Sequence, residues 1–210
     1  NNLYDGKLES MQVSPEFELN TKKGLFSRLS VEMQKERVSW DFNLSDSMTI
    51  KSGDYTFTAA RLMLGTTSTK KISYNVFVNT GQFYDGFRSG TNARINFNLS
   101  SSFNLSASYG YDVIRFPKRP VNNKLDIHTV NLRALYMLST KLSASFLLQY
   151  INTEDELLSN FRLRYNPREG NDFYLVYNDN RGIYNTIINP ESPKFFNKTI
   201  MVKYIHTFTL

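Results

Sequence analysis

The chain has 210 residues, 25 Lys and Arg against 19 Asp and Glu, a formal net charge of +6 and no cysteine. That length holds one large domain or two small ones, and the lack of cysteine excludes a disulfide framework or a thiolate metal site. The basic surplus is spread out with no run of five like charges, which excludes a nucleic-acid-binding arm, and no apolar run approaches the length of a spanning helix.

Residues 1–10, "NNLYDGKLES", have neither the basic nor the apolar region of a signal peptide. Either a signal was removed or the chain begins upstream. From there period two dominates, and strands are expected over 8–20, 25–42, 54–67, 72–84, 91–101, 103–116, 126–139, 142–153, 157–166, 172–180 and 197–210. These eleven strands are longer than the roughly 5–6 residues usual in soluble sheets. In the first and second, Glu16, Glu18, Arg28 and Glu32 share the polar side, and a change of phase near Ala59–Ala60 suggests a β-bulge that turns Arg61 to that side.

Strand 91–101 sets Ala93, Ile95, Phe97 and Leu99 against Asn92, Arg94, Asn96 and Asn98, and strand 103–116 sets Phe103, Leu105, Ala107 and Tyr109 against Asn104, Ser106 and Ser108. Strand 126–139 alternates Val130, Leu132 and Ala134 with Asn131 and Arg133. The segment 161–179, "FRLRYNPREGNDFYLVYND", reads as a hairpin with Phe161, Leu163 and Tyr165 on one face and Arg162 and Arg164 on the other. A dry core would not accept such a polar face unpaired. Two architectures fit the alternation: a soluble sandwich with its oily face inward, and a transmembrane barrel with its oily face to lipid and its polar face to a wet lumen. Strand length and tyrosines near strand ends favour the second. The expected fold is therefore all-β, an antiparallel transmembrane β-barrel of about 11–12 strands across residues 1–210, placed in the bacterial outer membrane with lipid as its surroundings. An odd count does not suit a single-chain barrel, so the chain is expected to be the C-terminal portion of a larger one.

Short turns at 20–24, 67–71, 100–103, 139–142 and 166–171 alternate with longer loops at 43–53, 84–90, 117–125, 153–157 and 181–196. Short turns face the periplasm in such barrels, and long loops face outside. The final strand, "NKTIMVKYIHTFTL", places Val202, Tyr204, Phe208 and Leu210 on one apolar face, as in the signal read by the barrel-assembly machinery, although His206 interrupts it and the usual terminal residue is Phe.

The lumen side carries the expected site: Arg28, Arg94, Arg133, Arg162, Arg164 and Lys203 point inward. Inward arginines favour anionic solutes in a channel; the other reading is that they pair with acids or a plug. An outer-membrane hydrolase would need an acid–base pair near the outer rim, and Asp126 with His128 is the available i, i+2 set. No phosphate loop or metal motif is present, and no cofactor is expected. A non-enzymatic barrel, serving as a channel or a membrane anchor, is the leading expectation, with a barrel subunit of a larger envelope complex as a further one.

The stretches "NFRLRYNPREGNDFYLVYND" and "NTGQFYDGFRSGTNARINFNLSSSFNLSASYGYD", with the final strand, resemble the C-terminal region of a Bacteroidota outer-membrane family. Its members join a family 9-like carbohydrate-binding module to a domain of unknown function, number 5916. The resemblance covers most of residues 50–210. It implies a barrel that serves a binding module encoded upstream, and it assigns no catalytic or sugar-binding residue within these positions.

Overall fold

The computed structural model describes residues 9–45, 48–182 and 196–207. Fourteen strands follow in chain order: β1 Ser10–Val13, β2 Glu16–Asn20, β3 Leu25–Val38, β4 Phe42–Ser45, β5 Met48–Ile50, β6 Gly53–Thr66, β7 Ile72–Phe83, β8 Gly86–Asn98, β9 Phe103–Arg115, β10 Lys124–Met137, β11 Leu142–Ile151, β12 Glu156–Arg168, β13 Asn171–Gly182 and β14 Phe196–His206. The fold is all-β, and its strands pair antiparallel. Twelve strands form one up-and-down sheet, the arrangement from which outer-membrane barrels are built. They occupy eleven positions, because β1 and β2 both pair β3. The expected first strand is thus one track broken at Ser14–Pro15, where proline cannot donate to the ladder.

The chain forms two compact units. The first holds residues 1–67, 74–93 and 110–127, the second 68–73, 94–109 and 128–210.

In the first unit, β3 and β6 pair from Leu25↔Thr66 to Val38↔Gly53 without a break, and β6 pairs β7 from Ala59↔Gly81 to Gly65↔Asn75 equally regularly. The expected bulge at Ala59–Ala60 is absent. Arg61 reaches the polar side by register alone, opposite Ser30 and one step from Glu32. The apparent phase change has another cause: Tyr55 and Phe57 lie on the polar face, opposite Glu36 and Gln34.

What takes them there is a second, two-stranded sheet that sequence periodicity did not reveal. Strands β4 and β5 form a hairpin within the expected loop 43–53, with Phe42 opposite Ile50. Met48 and Ile50 of this hairpin pack with Ile114 and Phe116 in the principal buried cluster, and Tyr55, Phe83 and Tyr84 flank it. Ile50 and Phe116 are fully buried. The hairpin base is tied by Asp41, which accepts from Lys51 Nζ and the Ser52 amide at 2.8 Å each. Those two donors, Lys51 first, hold the Asp41 carboxyl below the usual aspartate value of 3.8. Its contribution is therefore complete above pH 3.8 and is lost as pH falls through the lower folded value. Acid titration followed by fluorescence of Trp40, the single tryptophan, is expected to show a hairpin transition below pH 3.8 in the native chain and none in Asp41→Asn.

Two loops expected to be long are short. Strand β7 turns into β8 through Tyr84 and Asp85 alone, and β11 turns into β12 through residues 152–155. Gly86 and Gly90, within the expected loop 84–90, both lie in β8, where neighbours approach closely. A Cβ on Gly86 would stand 2.2 Å from the Arg115 carbonyl oxygen, and one on Gly90 2.2 Å from Asp112 Oδ1. Gly86→Ala forces backbone apart and is expected to destabilise the fold by about 1–3 kcal/mol, measurable as a lower urea midpoint. A register shift in the main sheet lies between Tyr165 and Arg168, at the turn into β13.

In the second unit, β10 to β14 pair in continuous register apart from that shift. Leu132, Leu148, Ser159 and Phe146, Phe161, Tyr177 and Ile200 fall on one face, while Arg133, Leu147, Asn160, Asn178 and Thr199 fall on the other. Large apolar side chains remain open to the surroundings in both units: Leu29 is 49% exposed, Phe146 40%, Leu175 40% and Val202 75%. The few buried hydrophobics lie outside this face.

Candidate functional site on the polar face

The polar face carries charge in two different arrangements. In the first unit acids and bases neutralise one another. Arg28 binds Glu18 at 2.7 Å with Glu16 at 4.0 Å. Arg61 contacts the Glu32 carboxylate, and Glu32 is 5% exposed. Arg88 Nε donates to Asp112 at 2.8 Å. A buried carboxylate persists only when such a partner offsets its lost hydration.

Between these pairs lies a cavity of about 230 Å³, with Glu32, Gln34 and Glu36 of β3 along one side, Ala59 and Arg61 of β6 across from them, and Phe83, Tyr84 and Arg88 closing it. Glu36 accepts from Gln34 Nε2 at 3.2 Å and from the Tyr84 hydroxyl at 3.4 Å. Burial, and then the Glu36 charge, push the Tyr84 phenol above its usual value. Tyr84 stands at φ 50°, unusual for a bulky residue. Four rings hold it there: Phe83 at 4.7 Å, Tyr55 at 5.1 Å, and Phe42 and Phe57 at 5.6 Å between centroids. Sequence reasoning missed Gln34, Glu36, Tyr84 and Arg88. The stripe Glu32-Gln34-Glu36 was visible at period two, but its partners came from two strands and a turn.

In the second unit several arginines have no acidic partner among the described residues. Arg94 of β8 and Arg133 of β10 line a groove of about 480 Å³ over Asn96, Asn104, Ser106 and Asn131. No carboxylate lines it. Small side chains form its floor, with Asn131 bonded to Ser108 at 3.3 Å and Asn104 to Asn98 at 2.5 Å. Among the described residues neither Arg94 nor Arg133 has an acid within ion-pair distance, and the same holds for Arg162 and Lys203. Arg162, opposite Ser145 and Val176, and Lys203, opposite Tyr174, lie on the same polar face by register. Arg164 differs, since its Nε donates to Asp172 at 2.7 Å. Of the six basic residues expected at the site, Arg28 and Arg164 are thus ion-paired and four stand without an acid among the described residues.

On the apolar face of the second unit, Val202 lies opposite Leu175 and Tyr204 opposite Phe173, on which it stacks at 4.6 Å. Phe208 and Leu210 lie outside the described residues. His206 is accommodated on this face because its Nδ1 meets the Asn171 amide oxygen, to which the Tyr204 hydroxyl also donates at 2.9 Å. His128 shares a hydrogen bond with the Tyr109 hydroxyl at 2.8 Å, and Asp126 accepts from Tyr111 at 2.7 Å and pairs with Lys124. Each thus bonds the hydroxyl of a neighbouring tyrosine on the face that carries the apolar row.

No protein-family model matches the chain, and no curated protein matches it. Among solved structures, the NanC porin in a rhombohedral crystal form is similar over 95% of this chain and 94% of its own, with 9% identity and a TM-score of 0.43. The KdgM porin in complex with disordered oligogalacturonate is similar over 95% and 96%, with 12% identity and a TM-score of 0.36.

Proposed function

We propose that this chain is a non-enzymatic outer-membrane β-barrel protein whose polar face lines a water-filled path that favours anions. The observation that carries the reading is the pair Arg94 and Arg133, without acidic partners above a groove of serine and asparagine. Uncompensated guanidinium groups beside water lower the energy of a passing anion and raise that of a cation. The lipid reading of the opposite face rests on its long row of exposed Leu, Ile, Val and Phe. A soluble monomer seldom exposes a contiguous apolar patch above a few hundred Å².

In this reading loops 39–52 and 116–123 face outside, and β14 carries the strand signal for the assembly machinery through Val202 and Tyr204. The resemblance to the Bacteroidota family supports a role as the anchor of a binding module; the intact mass of the native protein tests it. The channel itself is tested in planar bilayers under a tenfold KCl gradient. A reversal potential on the chloride side is expected. Potassium selectivity, or no conductance, would reject the reading.

A further inference from the structure

We propose that the cavity bounded by β3, β6 and the Tyr84 turn is a binding subsite for a neutral pyranose. Its chemistry differs from that of the arginine groove, and its existence does not depend on the channel reading. Arg61 is paired with Glu32 and Arg88 with Asp112, so Glu36 is the one lining charge without an ion partner among the described residues. Around it the lining offers donors and acceptors close together. Gln34 and Asn79 present amides, Arg61 and Arg88 present N–H groups, and Glu32 and Glu36 accept. Sugar hydroxyls both donate and accept, and this mixture satisfies them.

Glu36 is central. It accepts only from Gln34 and from the long Tyr84 contact, and no cation lies within ion-pair distance of it among the described residues. A carboxylate has about four lone-pair sites, so capacity remains for hydroxyl donors. Phe57, Phe83 and Tyr84 supply the apolar wall that the C–H face of a pyranose requires. The volume of about 230 Å³ is smaller than a drug-sized pocket and suits a single ring. Tyr84 is held at positive φ by four aromatic neighbours, a backbone outlier kept at the rim of a polar pocket.

The test is saturation-transfer NMR on the full chain folded in detergent micelles, with methyl β-D-glucopyranoside as probe and glucuronate and tetramethylammonium as charged controls. Transfer to the ring C–H protons of the glucoside is expected, and weaker transfer to either control. Glu36→Gln keeps the size and hydrogen-bonding shape of the side chain, and Tyr84→Asn keeps a residue that tolerates positive φ. Each is expected to weaken glucoside binding about tenfold, the scale of one lost hydrogen bond to a charged group. Unheated gel mobility verifies that both variants are folded. No transfer in the native chain, unchanged binding in both folded variants, or preference for either charged probe would overturn the proposal.

Discussion

Replacing Phe116 by Ala is expected to release the β4–β5 hairpin from the polar face while the main sheet stays folded. Phe116 is fully buried, packs with Met48, Ile50 and Ile114, and carries the Arg119 guanidinium 3.8 Å above its ring. Arg119 in turn binds Asp85 at 2.7 Å, so the same side chain seats the 84–85 turn. Removing a buried Phe costs about 3–5 kcal/mol. The main sheet keeps its ladder hydrogen bonds, so the loss falls on the hairpin, which pairs with no strand of that sheet. Trypsin should then cut at Lys51, which is exposed but held in ordered backbone in the native chain. Single-channel conductance should rise in the same variant. A resistant Lys51 with unchanged conductance would mean that the loop is held by something other than this cluster.

Substituting Arg94 and Arg133 together with Gln is expected to remove most of the anion preference. Both side chains line one groove without an acid, so the substitution removes two uncompensated charges and leaves none orphaned. At an effective dielectric of about 20, a charge 4 Å from a passing ion contributes about 4 kcal/mol, and less where water intervenes. A fall of roughly three- to tenfold in the chloride-to-potassium permeability ratio follows. The effect should shrink in 1 M salt, where the Debye length is about 3 Å. Arg28→Gln provides the contrast, because that change frees Glu18 and Glu16 from their partner and adds negative charge elsewhere on the face. Equal selectivity in the double variant and the native chain would remove Arg94 and Arg133 from the site.

The strands were legible because period two survives burial of either face. Eleven expected tracks meet eleven positions in the sheet, and the side on which each basic residue lies followed from counting by twos. The loops were less legible. Gly86 and Gly90 fell within an expected loop, but each is required by a neighbouring strand, Arg115 for one and Asp112 for the other. The small hairpin was hidden for a related reason: three- and four-residue strands give too few repeats to set a period.

Alternation along the chain determined the all-β class, the two opposed faces and the placement of Arg28, Arg94, Arg133, Arg162, Arg164 and Lys203, since a strand's side chains can only point two ways. Only the tertiary structure decided which of those charges are neutralised. Arg61 meets Glu32 and Arg164 meets Asp172 across strand pairs whose register no single strand encodes, whereas Arg94 and Arg133 meet serine and asparagine. Tertiary structure also decided that Phe57 and Tyr84 line a pocket and that Tyr55 and Tyr84 pack against the hairpin, which is folded in from elsewhere in the chain. Register and loop docking are set by contacts between distant residues, and those carry the difference between a charged face and a site.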